Sequence, residues 1–269
     1  MTAKSSGHIY VYSAPGYDTP WTRTVGSTTV EGHGRLKVGW TGRPDSRVRV
    51  KEQTGTVYPG GEGIVIHLDE PAVRADGTPF NDHDIFKVSD AAGIQRTSEV
   101  VEATLAEVRA AIVAVRTRRP YDPDRTDDFD PRPEQREALD QTAAYFTDHA
   151  GDPHPPRFLW NAKMRFGKTF ATYQLARKLG ATKVLVVTFK PAVEDAWQHD
   201  LESHTDFNGW QYLSKATGKD PTSADPKRPI VYFGSFQDLL GKDKLGNIKP
   251  KNTWLHETNW DLVIFDEYH

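Results

Sequence analysis

The sequence predicts an α/β protein in two parts, a small α+β unit followed by a parallel sheet with helices on both faces. Three observations support this. Strand-like runs dominate the beginning of the chain, a stretch rich in Arg, Asp and Pro follows, and short apolar runs then alternate with helix-like segments. Apolar strands separated by helices are typical of a parallel sheet covered on both faces. At 269 residues, the chain is long enough for two domains.

Composition excludes some classes of site. The chain has no cysteine, which removes disulfides, thiolate zinc sites and cysteine nucleophiles together. With 34 basic and 37 acidic residues its formal net charge is −3, so no overall positive field indicates nucleic acid, although one groove can still concentrate positive charge. No stretch approaches the ~18 apolar residues of a membrane-spanning helix. We therefore predict a cytoplasmic protein with no membrane partner.

The first part contains alternating and helical apolar patterns. Apolar and aromatic runs predict strands at residues 8–14 and 35–41, and an alternating run predicts a third at residues 63–68. Helical periods predict three helices, at residues 47–53, 82–92 and 102–115. The second helix opens with Asp82, a residue suited to capping. The third presents one apolar face, formed by Leu105, Val108, Ile112 and Val115.

Composition changes between residues 116 and 131, where Arg, Asp and Pro are concentrated and no apolar period is present. Such a segment has no apolar face that could be buried, so it is expected to be exposed. We predict a first domain of residues 1–116, a linker of residues 117–131 and a second domain of residues 132–269.

Helix and strand signals alternate in the second part. A helix is predicted at residues 133–149, with Pro133 near its first turn, and another at residues 169–179. Apolar runs predict four strands of one parallel sheet, at residues 157–160, 183–188, 230–233 and 261–265.

A phosphate-binding loop is predicted between the first of these strands and its helix. The loop matches the expected spacing, with alanine in place of the usual first glycine, over Ala162, Lys163, Met164, Arg165, Phe166, Gly167, Lys168 and Thr169. Its backbone N–H groups would converge on phosphate oxygens at a helix N-terminus. Lys168 would reach the β- and γ-phosphates of ATP, and the Thr169 hydroxyl would be a ligand of Mg²⁺. A plain turn at Gly167 is the alternative.

Two acids end the last apolar run. Asp266 would hold Mg²⁺, mostly through water, and Glu267 would polarise the attacking water. Acids at a strand end are often merely solvated, but together with the phosphate loop they predict ATP binding.

These motifs, taken in order, resemble those of superfamily-two helicases over about residues 130–269. Asp266 to His269 resemble the Asp-Glu-x-His box, and Gln135 matches the adenine-reading glutamine. Residues 188–191 resemble the segment that touches the DNA backbone in that superfamily, and residues 235–238 resemble its serine-aromatic-glutamine segment. The resemblance implies a RecA-like domain that uses ATP and Mg²⁺, with duplex DNA as the expected partner.

The same resemblance implies further parts. A superfamily-two motor needs a second RecA-like lobe, which supplies an arginine finger, and more strands after its Asp-Glu-x-His box. The sequence stops at His269. We therefore expect a fragment, an incomplete RecA-like sheet that alone binds nucleotide weakly and turns over little.

The first part resembles the GIY-YIG nucleases, in a branch where lysine replaces the first tyrosine of the second motif. The similar segments are residues 7–12, 37–41 and 49–53. The resemblance implies metal-dependent phosphodiester hydrolysis. Tyr10 and Lys37 would activate or orient water, Arg49 would balance transition-state charge, and Glu99 would hold the metal. Arg47 is a rival for the arginine, and packing or surface pairing could explain each residue alone.

Three hypotheses follow. The first is an ATP-dependent DNA helicase or translocase with a fused metal-dependent endonuclease domain, as in restriction or mobile-element defence. The second is a GIY-YIG-like module that grips DNA without cutting, on the same motor. The third is a P-loop nucleotide-binding protein with no nucleic-acid role. DNA cleavage separates the first hypothesis from the second, and DNA binding separates both from the third.

Overall fold

The chain divides into two compact units, Met1–Asp128 and Phe129–His269. A computed structural model describes residues 7–25, 27–219, 221–239 and 248–266. Most of the predicted linker belongs to the first unit, where the guanidinium of Arg116 lies 2.9 Å from the carboxylate of Asp128. The role of residues 117–131 as a linker stays a prediction.

The first unit is an antiparallel sheet with helices. Its elements are β1 (His8–Ser13), β2 (Pro20–Val25), β3 (Thr28–His33), β4 (Leu36–Thr41), α1 (Ser46–Thr54), β5 (Val65–Pro71), α2 (Asp82–Ala91), β6 (Arg96–Thr97), β7 (Val100–Val101) and α3 (Leu105–Thr117). Five strands pair in the order β5-β1-β4-β7-β6, each antiparallel to its neighbours. Strands β2 and β3 form a separate hairpin.

Strand β1 is buried on both faces, which explains its continuous apolar and aromatic run. Because successive side chains alternate, Ile9 and Val11 join the main core beneath α2 and α3, and Tyr10 and Tyr12 lie on the opposite face with Val50 of α1. The second face therefore holds polar aromatic groups in a mostly buried setting. The predicted nuclease residues lie on this face.

Side chains that accept backbone hydrogen bonds decide where the helices begin. Helix α2 begins where predicted, but its cap is Asn81 rather than Asp82, with Asp84 completing the capping box. Helix α3 begins three residues later than predicted because Thr104 is its cap.

No helix in the described part of the chain is long and apolar enough to cross a membrane.

The hairpin of β2 and β3 was not predicted. The sequence there is rich in glycine and threonine, and its alternation is weak. Trp21 is nonetheless buried, and its Nε1 donates to the carbonyl oxygen of Gly34 at 2.6 Å. Trp21 and Arg23 thus anchor a hairpin whose other side chains are mostly exposed, and Arg23 does so through an ion pair with Glu107.

The second unit alternates helices and parallel strands. Its elements are α4 (Pro133–Asp148), α5 (Lys168–Lys178), β8 (Lys183–Thr188), α6 (Glu194–Ser203), β9 (Gln211–Ser214), β10 (Ile230–Ser235), α7 (Phe236–Leu239), α8 (Thr253–Glu257) and β11 (Leu262–Asp266). The strands pair in the order β11-β8-β10-β9, all parallel. Helices α5 and α6 pack on one face, and α7 and α8 on the other. The predicted parallel sheet is confirmed.

Strand β11 lies at the edge of this sheet among the described residues, where it pairs with β8. Its side chains alternate, with Leu262 and Ile264 against the core of α5 and α6. On the other face Val263 is 42% exposed and Phe265 is 54% exposed.

The strand predicted at residues 157–160 was wrong. The segment forms no strand: residues 157–159 are exposed, and only Trp160 packs against the core that α4 and α5 share. Trp160 Nε1 donates to Thr142 Oγ1 at 2.7 Å, and the Phe158 ring lies 5.4 Å from that of Tyr145. An extended segment becomes a strand only when a neighbour supplies ladder hydrogen bonds.

Candidate functional site

The phosphate loop turns into α5 at Gly167. This glycine is left-handed, with φ 75° and ψ 49°, and no described side chain caps the helix that follows. Arg165 is also left-handed, with φ 65°. Successive turns of this kind, at the positive end of a helix dipole, leave backbone N–H groups available to an anion. The backbone therefore fits phosphate groups.

Gln135 is buried against the same loop. Its Nε2 donates to the carbonyl oxygen of Phe166 at 2.7 Å, and its Oε1 accepts from the backbone N–H of Arg132 at 2.8 Å. A Cβ atom added at Gly167 would lie 2.7 Å from that Nε2. The left-handed backbone is what favours glycine here, since a larger residue would need only the flexible end of Gln135 to shift. Gln135 supports the loop, and its predicted contact with adenine stays a prediction.

The other loop residues are mostly accessible. Met164 is 92% exposed, Lys163 and Lys168 are exposed, and Ala162 and Thr169 are half-buried. The loop thus presents a lysine and a hydroxyl at the first turn of α5, as the predicted contacts with phosphate and Mg²⁺ require.

Asp266 lies at the carboxyl edge of the parallel sheet. It is in register with Thr188 of β8, which is in register with Ser235 of β10. Its Oδ2 accepts a hydrogen bond from Trp197 Nε1 at 3.3 Å. Glu267 lies outside the described residues, so its predicted catalytic role stays a prediction.

The available donors fit magnesium. The hydroxyl of Thr169 and the carboxylate of Asp266 are the hard oxygen donors that Mg²⁺ prefers. In the described part of the chain, no group of three or more His, Cys, Asp or Glu side chains could hold a metal by itself. Mg²⁺ is commonly bound by one or two carboxylates together with substrate phosphates, and these residues suit that arrangement.

In the first unit, Tyr10 of β1 lies opposite Gly39 of β4, and its ring covers that glycine. The two residues are register partners on β1 and β4. A Cβ atom at position 39 would lie 2.5 Å from the Tyr10 Cζ and Oη atoms. The tyrosine ring therefore occupies the space that a side chain would take, and glycine is required by close approach.

The Tyr10 hydroxyl is held from helix α1. Its Oη donates to Gln53 Oε1 at 2.9 Å. Burial raises the pKa of Tyr10, the charge and side chain of Arg49 oppose that rise, and the charge of Glu99 adds to it. At neutral pH the hydroxyl therefore keeps its proton, which points to Gln53. A protonated hydroxyl does not act as a base, and the Arg49 side chain is a second hydrogen-bonding neighbour of it.

Lys37 and Glu99 form an ion pair beside this tyrosine. Lys37 Nζ donates to Glu99 Oε2, and the backbone N–H of Val38 donates to the carbonyl oxygen of Glu99 at 2.9 Å. The Lys37 side chain is buried, whereas that of Glu99 is 39% exposed. An accessible carboxylate suits a divalent cation that keeps several water ligands. Tyr10, Lys37, Arg49 and Glu99 are thus brought together on one face, but their nuclease roles stay predictions.

Comparison with known proteins decides the family of the second unit. The model of the family described as "Type III restriction enzyme, res subunit" matches residues 128–269, more than half of the chain. The chain belongs to that family. The predicted relation to restriction-type helicases is therefore confirmed for the res-subunit unit. The match begins at residue 128, so the GIY-YIG resemblance of the first unit stays a prediction.

A second comparison also points to restriction. The chain is 36% identical over 147 residues to a Mycoplasma pneumoniae protein whose name describes it as the C-terminus of a type II restriction enzyme and methyltransferase. The aligned region is 52% of this chain and 20% of that relative, so the chain spans about a fifth of the relative's length. No solved structure matches the chain significantly.

Two polar contacts of this res-family chain were not anticipated from the sequence. Gln53 lies four residues after Arg49 on α1, and helical spacing alone places the two side chains on one face. No pattern in the sequence indicates the contact of Trp197 with Asp266, because this contact depends on how α6 packs against the sheet.

The close approach at Gly39 leads to a test of the first site. Gly39→Ala forces its methyl group into the Tyr10 ring, so we expect a loss of ~1–3 kcal/mol in the free energy of unfolding, measured by urea denaturation. Gly42→Ala is the control, because its nearest heavy atom would lie at 3.4 Å, an ordinary contact. Equal stability of the two variants would contradict the packing described for Tyr10.

Proposed function

We propose that this protein is part of an ATP-dependent DNA helicase or translocase of a restriction system, with a metal-dependent endonuclease domain at its N-terminus. Membership in the res-subunit family, over a unit that carries a phosphate loop and an acid at a strand end, supports the motor. The four polar side chains on one face of the first unit support the nuclease.

In the proposed motor, Lys168 and the N–H groups at the start of α5 would bind the phosphates of ATP. Thr169 and Asp266 would hold Mg²⁺, which supplies charge neutralisation at the reacting phosphate. Gln135 keeps the loop in its phosphate-binding shape through its bond to the carbonyl oxygen of Phe166. Glu267 would orient the attacking water.

In the proposed nuclease, the side chains divide the work of breaking a phosphodiester bond. Tyr10 would orient the attacking water through its lone pairs, and Arg49 would stabilise the negative charge that develops on the phosphate. Glu99 would hold one divalent cation, and Lys37 positions Glu99 through their ion pair. Tyr10 and Lys37 are buried on strands of the sheet, whereas the side chains of Arg49 and Glu99 are partly exposed, so packing fixes only the first two before DNA binds.

A non-cutting DNA grip is the second candidate for the first unit. The ion pair between Lys37 and Glu99 favours it, because a lysine already occupies one oxygen of the proposed metal ligand. Duplex DNA would then be the partner of both units, without hydrolysis in the first.

Two assays on the whole chain test these proposals. We expect duplex DNA to be nicked in Mg²⁺ or Mn²⁺ and not in EDTA, scored as conversion of supercoiled to open-circular plasmid. We expect ADP binding by calorimetry to strengthen when Mg²⁺ is added. DNA binding without nicking would support the grip, whereas the absence of both would leave only nucleotide binding.

A further inference from the structure

The indole of Trp197 is the only described side chain that donates a hydrogen bond to Asp266. Trp197 lies on α6 and is 2% exposed. Its Nε1 donates to Asp266 Oδ2 at 3.3 Å. Tryptophan has one donor and no acceptor, so a buried indole N–H needs an acceptor of this kind. A hydrogen bond to a charged carboxylate is stronger than one between neutral groups.

The same tryptophan is also tied to the phosphate-loop helix. Its carbonyl oxygen accepts from the hydroxyl of Tyr173 on α5 at 2.9 Å. The two rings lie edge to face, with centroids 5.3 Å apart at 87°. Tyr173 is fully buried, and burial raises its pKa well above the ordinary value, so its hydroxyl remains a donor.

A continuous path of contacts therefore joins the two halves of the proposed ATP site. It runs from α5, which begins at Lys168, through Tyr173 and Trp197 to Asp266 at the end of β11. Side-chain packing also links the two elements, because Phe170 and Tyr173 of α5 share one core with Leu262 and Ile264 of β11. The hydrogen bond from Trp197 adds a polar contact at the Asp266 carboxylate itself.

We infer that Trp197 is a positioning residue for Asp266: its indole N–H holds Oδ2 and so fixes the orientation of the carboxylate that would bind Mg²⁺. This inference rests on the proposed ATP site. In it, Trp197 acts only through Asp266. Its loss should weaken the part of nucleotide binding that depends on Mg²⁺ and leave the metal-independent part unchanged.

Trp197→Phe tests this on the whole chain, because phenylalanine keeps an aromatic ring beside Tyr173, removes the donor and is smaller than the indole that it replaces. By calorimetry we expect the Mg²⁺-dependent gain in ADP affinity to fall roughly 10-fold, with ADP affinity in EDTA unchanged. Trp260→Phe is the matched control. Its Nε1 donates to the carbonyl oxygen of Leu255, on the opposite face of the sheet, and its removal should change neither value.

A spectroscopic measurement keeps the test independent of how well a core variant folds. In a ¹⁵N-indole spectrum the wild-type chain gives signals from seven tryptophans. We expect the Trp197 signal to shift when Mg²⁺ is added with ADP, to stay in place with ADP in EDTA, and to move in Asp266→Asn. Signals of Trp254 and Trp260 serve as internal references.

The outcomes separate this inference from the proposed function. If Mg²⁺ does not strengthen ADP binding by the wild-type chain, the proposed ATP site is wrong and the inference falls with it. Two results would show that Trp197 is only a core residue although Mg²⁺ strengthens ADP binding by the wild-type chain. In the first, folded Trp197→Phe keeps the full Mg²⁺-dependent gain in ADP affinity. In the second, the Trp197 signal does not change in Asp266→Asn. In either case the proposed ATP site stands.

Discussion

Lys168→Ala is expected to remove measurable binding of ADP and Mg²⁺. The lysine is exposed at the first turn of α5, where the backbone already offers N–H groups to phosphate. ADP lacks the γ-phosphate, so the ammonium would meet the β-phosphate alone, and charge-assisted hydrogen bonds to it should strengthen binding roughly 100-fold. Isothermal calorimetry at high protein concentration measures the difference.

Lys178→Ala is the matched control for this experiment. Lys178 is at the other end of α5, half-exposed, with its Nζ 2.6 Å from Asp140 Oδ1. Exposed ion pairs contribute ~0–1 kcal/mol to stability, so this variant should fold and bind like the wild-type chain. Unchanged affinity in Lys168→Ala would show that the loop from Ala162 to Thr169 is only a turn.

Arg49→Ala is expected to lower DNA cleavage on the order of 10²-fold or more, the scale of losing one preorganised contact to transition-state charge. Arg49 is exposed on α1 and close enough to Tyr10 to affect its pKa. Glu99→Gln should cost a similar factor, because the amide cannot replace a charged metal ligand. Initial rates of plasmid nicking in saturating Mg²⁺ measure both losses.

Arg47→Ala provides the matched control on the same helix. Arg47 is also exposed, and its backbone N–H bonds the Asp45 cap, a contact that the substitution leaves intact. Its cleavage rate should stay within about twofold of the wild-type rate, since isolated surface changes have small effects. Loss of cleavage in Arg47→Ala with activity kept in Arg49→Ala would exchange the roles of the two arginines.

Elements set by local pattern could be predicted from the sequence. The apolar face of α3 and the alternation of strands and helices in the second unit arise from periodicity, which each segment carries in its own residues. The exact starts of the helices depend on capping side chains. Thr104 caps α3, which therefore begins later than predicted, and Asn81 rather than Asp82 caps α2.

Features that depend on distant partners could not be predicted. Residues 157–160 have the composition of a strand, but no described strand pairs with them, and Trp160 and Phe158 contact α4. The hairpin of β2 and β3 depends on the burial of Trp21, and the short strand β9 on pairing with β10. Strand pairing depends on two segments that are distant in sequence, so the residues of either segment alone predict it poorly.

The candidate sites divide in the same way. The residues of the phosphate loop around Gly167 are contiguous in sequence. The motifs of the first unit follow one another in the order seen in the family that it resembles. The residues of both sites could therefore be named from the sequence. Most of their supporting contacts could not. Helical spacing places Gln53 beside Arg49, but the contact of Trp197 and the space above Gly39 depend on segments that meet only in the folded chain.

The open edge of β11 affects how the isolated chain behaves in concentrated solution. Among the described residues, the backbone groups on that edge have no strand partner, and Val263 and Phe265 are exposed beside them. An exposed apolar edge is a template on which a strand of another molecule can add. We therefore expect reversible self-association that increases with concentration. Preparations should lose material to precipitation before they lose it to unfolding.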